Sequence, residues 1–172
     1  TLSARRDPQL RVFAQEMTDK IAALGRAHEF VAPTGLKEQR SLHGLLRQIF
    51  APYCDAENDR VVVSGENPAI HARSATPLAL VFHELATNSA KYGVLSRDEG
   101  EVDVAVSLTD SKTLEIVWRE PGVEQTGEAG EGFGSRLLRM SVEGQLQGTI
   151  AREWTDDGLV VTLDLSLPVL AG

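Results

Sequence analysis

Val102, Val104 and Val106 alternate along the chain, and Leu114, Ile116 and Trp118 repeat the alternation after Thr109-Asp110-Ser111-Lys112. A period of two puts each set on one face of a strand, so the pair reads as a β-hairpin with one apolar face that something must cover. The cover lies just upstream. A helix opening at Thr76-Pro77 and capped at Gly93 can turn Leu78, Leu80, Val81, Leu85 and Ala86 toward a sheet. From Arg60 onward the chain therefore reads as mixed α/β.

More strands are legible around this pair. Val61-Val62-Val63 forms one that ends at Ser64-Gly65-Glu66-Asn67-Pro68, and a second short one is expected from Ile70 to Ala72. Thr149 to Glu153 should pair with Leu159 to Leu167 around Asp156-Asp157-Gly158, with Trp154 on the sheet surface. Gly132 to Glu143 is expected to be helical, and the glycine- and glutamate-rich stretch from Glu120 to Glu131 to be mobile. Before Arg60 the pattern changes. Asp7-Pro8 supplies an N-cap acceptor and a proline at the first helical position, and Leu10, Phe13, Met17, Ile21 and Leu24 continue as one stripe on a long helix. So narrow a stripe should dock on other helices, across a dimer. A break at Ala32-Pro33-Thr34-Gly35 precedes a shorter amphipathic helix carrying Leu42, Leu45, Leu46, Ile49 and Phe50, which Pro52 stops. The expected organisation is a helical segment over 1–52 and an α/β domain over 60–172.

Composition narrows the partners. A net charge of -8 over 172 residues and a pI near 5.0 give no electrostatic attraction to nucleic acid or to an anionic membrane. Protein and small-molecule partners remain. Cys54 is the one cysteine, which rules out an internal disulfide and a cysteine metal cluster and leaves it to act as a small hydrophobe. No apolar run reaches membrane-spanning length, and Thr1-Leu2-Ser3-Ala4-Arg5-Arg6 lacks the apolar core of a signal peptide. A cytoplasmic protein is expected. The missing initiator methionine is read as the mark of a fragment.

Chemistry concentrates in two places. In His83-Glu84-Leu85-Ala86-Thr87-Asn88-Ser89-Ala90-Lys91-Tyr92-Gly93, the acid, the carboxamide and the cation at 84, 88 and 91 recur at spacings of four and three, so they are neighbours on one helix face. Asn88 offers a hard oxygen to Mg²⁺, Lys91 can meet a phosphate, and Glu84 can accept or orient a proton at an attacking nucleophile. A solvated helix face would carry the same residue types. Gly132-Phe133-Gly134-Ser135-Arg136-Leu137 places two glycines at a helix start, where backbone N–H groups can approach an anion. An ordinary loop turn reads the same way.

The two segments together resemble a known family. His83 to Gly93 looks like the N box of the GHKL ATPase superfamily, and specifically of the HWE histidine kinases, whose N box has a histidine before the glutamate and whose G1 region carries W-x-E. Here those are His83 and Trp118-Arg119-Glu120. Arg26-Ala27-His28-Glu29 resembles the end of the second dimerisation helix, and Gly132 to Leu137 resembles the G2 box. The resemblance implies a Bergerat two-layer α/β sandwich with a mixed sheet over 60–172, preceded by a helical dimerisation and phosphotransfer segment. It implies ATP and Mg²⁺ as cofactors. Asn88 would ligate the metal, and Glu84 would be the catalytic acid of the N box. Lys91 and Tyr92 would line the phosphate side, Gly132 and Gly134 would form the lid hinge, and Phe133 and Ser135 beside them would belong to the nucleotide site. The usual G1 pattern is D-x-G-x-G. Here Glu120-Pro121-Gly122 stands in its place, so Glu120 would read the adenine amino group beside Gly122, while Glu124 occupies the position of the second glycine.

The implied activity is a protein-histidine kinase of a two-component system, cytoplasmic and dimeric through its leading helix, with a response-regulator receiver domain as partner. The family's acceptor lies in an H-R-x-x-N sequence that does not occur in this chain, so the acceptor is expected upstream of Thr1. His28 continues the apolar stripe and reads as a packed or capping residue, and His43 and His71 read as surface residues. His83 is open between a structural hydrogen bond to Trp118 or Glu120 and a proton relay. Two other classes remain: a serine kinase of the anti-sigma-factor type, which needs no leading helix, and an adaptor with a dead nucleotide site.

Overall fold

The computed structural model describes residues 41–54, 60–125 and 133–172, together with individual helical residues between 10 and 25. Helix α1 (Leu42–Phe50) begins on Ser41, whose hydroxyl accepts from the Gly44 N–H, and all five of its predicted apolar residues are buried. Proline at position 52 turns the chain into a short 3-10 turn, Ala51–Tyr53. Strand β1 (Val61–Gly65) leads into α2 (Ala72–Tyr92), then come β2 (Val102–Leu108) and β3 (Thr113–Pro121). Helix α3 (Phe133–Arg139) continues as a π-helical turn, Met140–Gln145, before β4 (Thr149–Thr155), β5 (Gly158–Ser166) and the short α4 (Leu167–Ala171). Both predicted hairpins form, the first tightened by Asp110 Oδ1, which accepts from the N–H groups of Lys112 at 2.6 Å and Thr113 at 2.8 Å.

The strands make one mixed sheet in the order β1-β2-β3-β5-β4, with β1 parallel to β2 and every other pair antiparallel. Register carries the apolar alternation across the sheet. Val104 faces Trp118, which faces Val161, and Val106, Ile116 and Leu163 repeat the pattern one step along, all buried under the helices. The intervening Ala105, Val117 and Thr162 occupy the other face and stay half-buried. This is the expected two-layer sandwich.

Helix α1 lies within the 1–52 segment, yet its side chains share one core with residues beyond 60. The Phe50 ring stands edge-on to Phe82, with centroids 6.1 Å apart, and 5.8 Å from Trp118. The Leu42 N–H donates to Pro68 O, and the His43 N–H to Asn67 Oδ1.

Three local expectations need correction. No strand runs from Ile70 to Ala72: Ala69 makes an isolated bridge to Ser41, and His71 caps α2, its Nδ1 accepting from the Arg73 N–H. Helix α2 thus starts at Ala72 rather than at Thr76-Pro77, and Pro77 sits inside it, where the N-cap histidine and burial of the surrounding apolar face outweigh the missing N–H. The third concerns Glu120 to Glu131: Glu120 and Pro121 belong to β3, and Glu120 is only 2% exposed. Residues 126–131 of that stretch lie outside the described residues. So do Phe13, Leu24, His28 and Gly132.

Candidate functional site

Helix α2 sorts its residues by face. Leu78, Phe82, Leu85 and Ser89, at spacings of four, three and four, are buried toward the sheet. Glu84, Asn88 and Lys91 lie on a neighbouring stripe that emerges gradually: Glu84 is buried, Asn88 half-buried and Lys91 exposed. Their expected grouping is therefore observed, running from the interior outward. Tyr92 is 70% exposed, and His83 is buried at 5%.

Glu84 has two close neighbours from other parts of the chain. Lys20, on the helical residues that precede α1, brings its Nζ to 2.9 Å from Glu84 Oε1. On the other side, Gly134 near the start of α3 packs so tightly that a Cβ there would collide with Glu84 Oε2. A side chain at 134 would displace the end of the Glu84 side chain, so the start of α3 lies directly against this acid on α2. Phe133 opens α3, and Gly134 and Ser135 follow half-buried.

Glu120 occupies a second centre, at the end of β3. Its Oε2 accepts from the Ser89 hydroxyl at 2.7 Å and from the Val94 N–H at 2.9 Å, and its Oε1 accepts from the Trp118 indole N–H at 2.8 Å. These bonds satisfy a charge that would otherwise be costly to bury. His83 is not among these donors, and the indole N–H of Trp118, its one donor, is spent on Glu120. Gly93 ends α2 as predicted, but in extended backbone, its N–H donating to Ser89 O at 2.8 Å. Glycine is needed there because a Cβ would run into Glu120 Oε2.

Gly122 is held on both sides. With φ +69 it adopts the left-handed conformation, its N–H donates to Asp157 O at 2.7 Å, and its carbonyl accepts from Arg97 Nη2 at 2.8 Å. Arg60 secures the segment that carries Arg97, between α2 and β2, through the carbonyls of Val94 and Gly100. Sequence reasoning missed Ser89, Arg97 and Lys20, and the approach of Gly93 to Glu120. Ser89 had a signal, a hydroxyl on the apolar stripe of α2 that must find a partner when buried. Nothing local marks Lys20, whose partner lies 64 positions away in sequence.

Among the remaining histidines, His71 is the exposed cap of α2, while His43 is half-buried rather than on the surface. Burial holds the His43 pKa below the ordinary imidazole value, with the Arg47 charge acting the same way and a backbone hydrogen bond at Glu66 opposing them. Cys54 is half-buried against the core.

A mixed sheet covered by one layer of helices is the fold of histidine kinase catalytic domains. The histidine kinase domain of the Erythrobacter litoralis EL346 blue-light activated histidine kinase shares it with a TM-score of 0.64, covering 88% of this chain and 74% of that one at 18% identity. Residues 1–67 match the HWE histidine kinase family. "Blue-light-activated histidine kinase 1" of Erythrobacter litoralis is 31% identical over 169 residues, which are 95% of this chain and 46% of the relative. The blue-light-activated histidine kinase of Rhizobium johnstonii is 32% identical over 166 residues, again 95% of this chain and 46% of the relative. By these matches the chain is similar to the HWE histidine kinases over residues 1–67 and to blue-light-activated histidine kinases over nearly its whole length. It spans about half the length of the curated relatives it matches. Among the described residues, no helix is long and apolar enough to cross a membrane.

Proposed function

We propose that this chain is the ATP-binding catalytic part of a two-component sensor histidine kinase, cytoplasmic, transferring the γ-phosphoryl of Mg-ATP to a histidine outside residues 1–172. In that step a ring nitrogen of the acceptor bonds to the γ-phosphorus while the bond to the β,γ-bridging oxygen breaks and ADP leaves. An aspartate oxygen of a response regulator then takes the phosphoryl group as the P–N bond breaks.

The observation that carries this reading is the close packing of Gly134 against Glu84, one helical turn from Asn88. It sets the start of α3 beside α2 at a place where acid, amide and cation follow one another from interior to surface. The donor set fits Mg²⁺, since a hard carboxamide oxygen at a half-buried position suits a metal that takes its other ligands from phosphates and water. Such a metal would neutralise charge on the transferring phosphates. Asn88 would hold it, Glu84 would orient the proton at the attacking nitrogen, and Lys91 and Tyr92, at the exposed end of α2, would meet the phosphates. Gly132 and Gly134 would hinge the lid, Phe133 and Ser135 beside them would belong to the nucleotide site, and Glu120 beside Gly122 would read the base. His83, buried and adjacent to Glu84, would serve a structural role. Exposure of Leu10 and Ile21 on the leading helix, at 46% and 68%, supports its use as a dimer contact.

Asn88→Ala should abolish Mg-ATP-dependent transfer to a supplied acceptor helix while the folded state keeps its circular dichroism spectrum. Undiminished transfer would refute the metal role. The product of the unmodified protein should be acid-labile, as phosphohistidine is; an acid-stable product would point to the serine-kinase alternative.

A further inference from the structure

The hydrogen-bond capacity of Glu120 can be counted. An ionised carboxylate offers about four acceptor positions, two on each oxygen. Oε2 receives two donors, Ser89 Oγ–H and Val94 N–H, and Oε1 receives one, Trp118 Nε1–H. Among the described residues, the acceptor position left over belongs to Oε1. The direction of the Ser89 proton is also fixed. Its oxygen accepts from the Leu95 N–H at 3.2 Å, so the hydroxyl hydrogen is directed at Glu120. Gly93 closes the arrangement from behind, its missing Cβ leaving just the space that Oε2 fills.

We propose that Ser89 is a specificity-positioning residue: by tying Oε2 of Glu120 to α2, it leaves Oε1 to accept the exocyclic amino group of adenine. The proposal rests on the reading of Glu120 as the base-recognising acid. One leftover acceptor on a fixed carboxylate welcomes an amino donor. It opposes hypoxanthine, which presents a carbonyl oxygen at the same position and would leave two acceptors facing each other. Without the Ser89 hydroxyl, Oε2 regains an open position, and the carboxylate can turn about its soft terminal torsion. The discrimination then weakens. Because Ser89 directly follows Asn88, a single turn of α2 would align both the metal ligand and the base reader.

The test is the ratio of dissociation constants for ITP and ATP, each with Mg²⁺, measured by calorimetry on the intact protein. Ser89→Ala should lower that ratio by about tenfold, the effect of losing roughly one charge-assisted hydrogen bond, mainly by weakening ATP. Ser89→Thr, which keeps the hydroxyl, should restore it. If Glu120→Gln lowers the ratio while Ser89→Ala leaves it unchanged or weakens both nucleotides equally, base reading stands and the positioning role falls. If Glu120→Gln itself leaves the ratio unchanged, the base-reading role of Glu120 falls and the proposal falls with it.

Discussion

Replacing Phe50 with alanine tests whether α1 belongs to the catalytic core. Phe50 is 2% exposed, and its ring meets Phe82 edge-on and Trp118 at a 58° tilt, so its removal leaves a cavity between α1, α2 and β3. Truncations of this kind cost about 3–5 kcal/mol, a total that includes about 0.5–1.5 kcal/mol for each aromatic pair. Against a typical domain stability of about 5–15 kcal/mol, that is a large share. With a urea m-value of about 1–3 kcal/mol/M, the unfolding midpoint should fall by about 2 M. Fluorescence can follow this in a Trp154→Phe background, where the fully buried Trp118 is the remaining indole. Phe50→Leu, which keeps most of the volume, should lose less than about 1.5 kcal/mol. If Phe50→Ala shifted the Trp118 transition by under about 1 kcal/mol, α1 would be an attached helix rather than part of a shared core.

Two more outcomes follow from close contacts and titration. Gly134→Ala should push Glu84 from its position and reduce phosphoryl transfer by at least about tenfold, with ATP affinity changing less, since the collision falls on the acid; equal losses in rate and affinity would count against it. Asp110 and His43 should each give stability a pH dependence. For Asp110 the backbone N–H of Lys112, followed by the Thr113 side chain, holds the carboxyl below its ordinary value, so its contribution is present above the unfolded pKa and fades as pH falls through the lower folded one. For His43, burial keeps the folded ring neutral longer, so stability declines as pH drops below the ordinary imidazole range. Urea titrations across these ranges should lose the acid-side slope in Asp110→Ala and the near-neutral slope in His43→Gln; unchanged slopes would refute the assignments.

How far the fold could be read in advance depended on the range of the forces involved. Both hairpins and the amphipathic α1 were legible because period-two and period-3.6 burial are local patterns. The start of α2 is not legible because Thr76-Pro77 imitates a helix start, whereas the real cap is His71, a residue seldom found in that role. The segment boundary near Arg60 was drawn where the composition changes. Side chains of α1 cross it, since a sheet face needs cover from any available helix, whatever its place in the chain. At the site, the 84-88-91 spacing was visible because one helix supplies it. The partners of Glu84 and Glu120 were not, because they arrive from other elements.

That division explains why tryptophan and glutamate occur together at 118 and 120. The two residues lie on the same face of β3, and the indole N–H reaches Oε1 of the acid two positions on. Glutamate is one methylene longer than aspartate. The extra length carries Oε2 to the end of α2, where it meets Ser89, the Val94 N–H and the bare backbone of Gly93. An aspartate at 120 would fall short of those donors, leaving buried N–H and O–H groups unpaired at about 1–3 kcal/mol each. An alanine at 93 would occupy the space the longer acid needs. Tryptophan, glutamate, serine and glycine thus act as one unit that ties the last turn of α2 to the end of β3, the two elements on which the proposed metal ligand and base reader are carried.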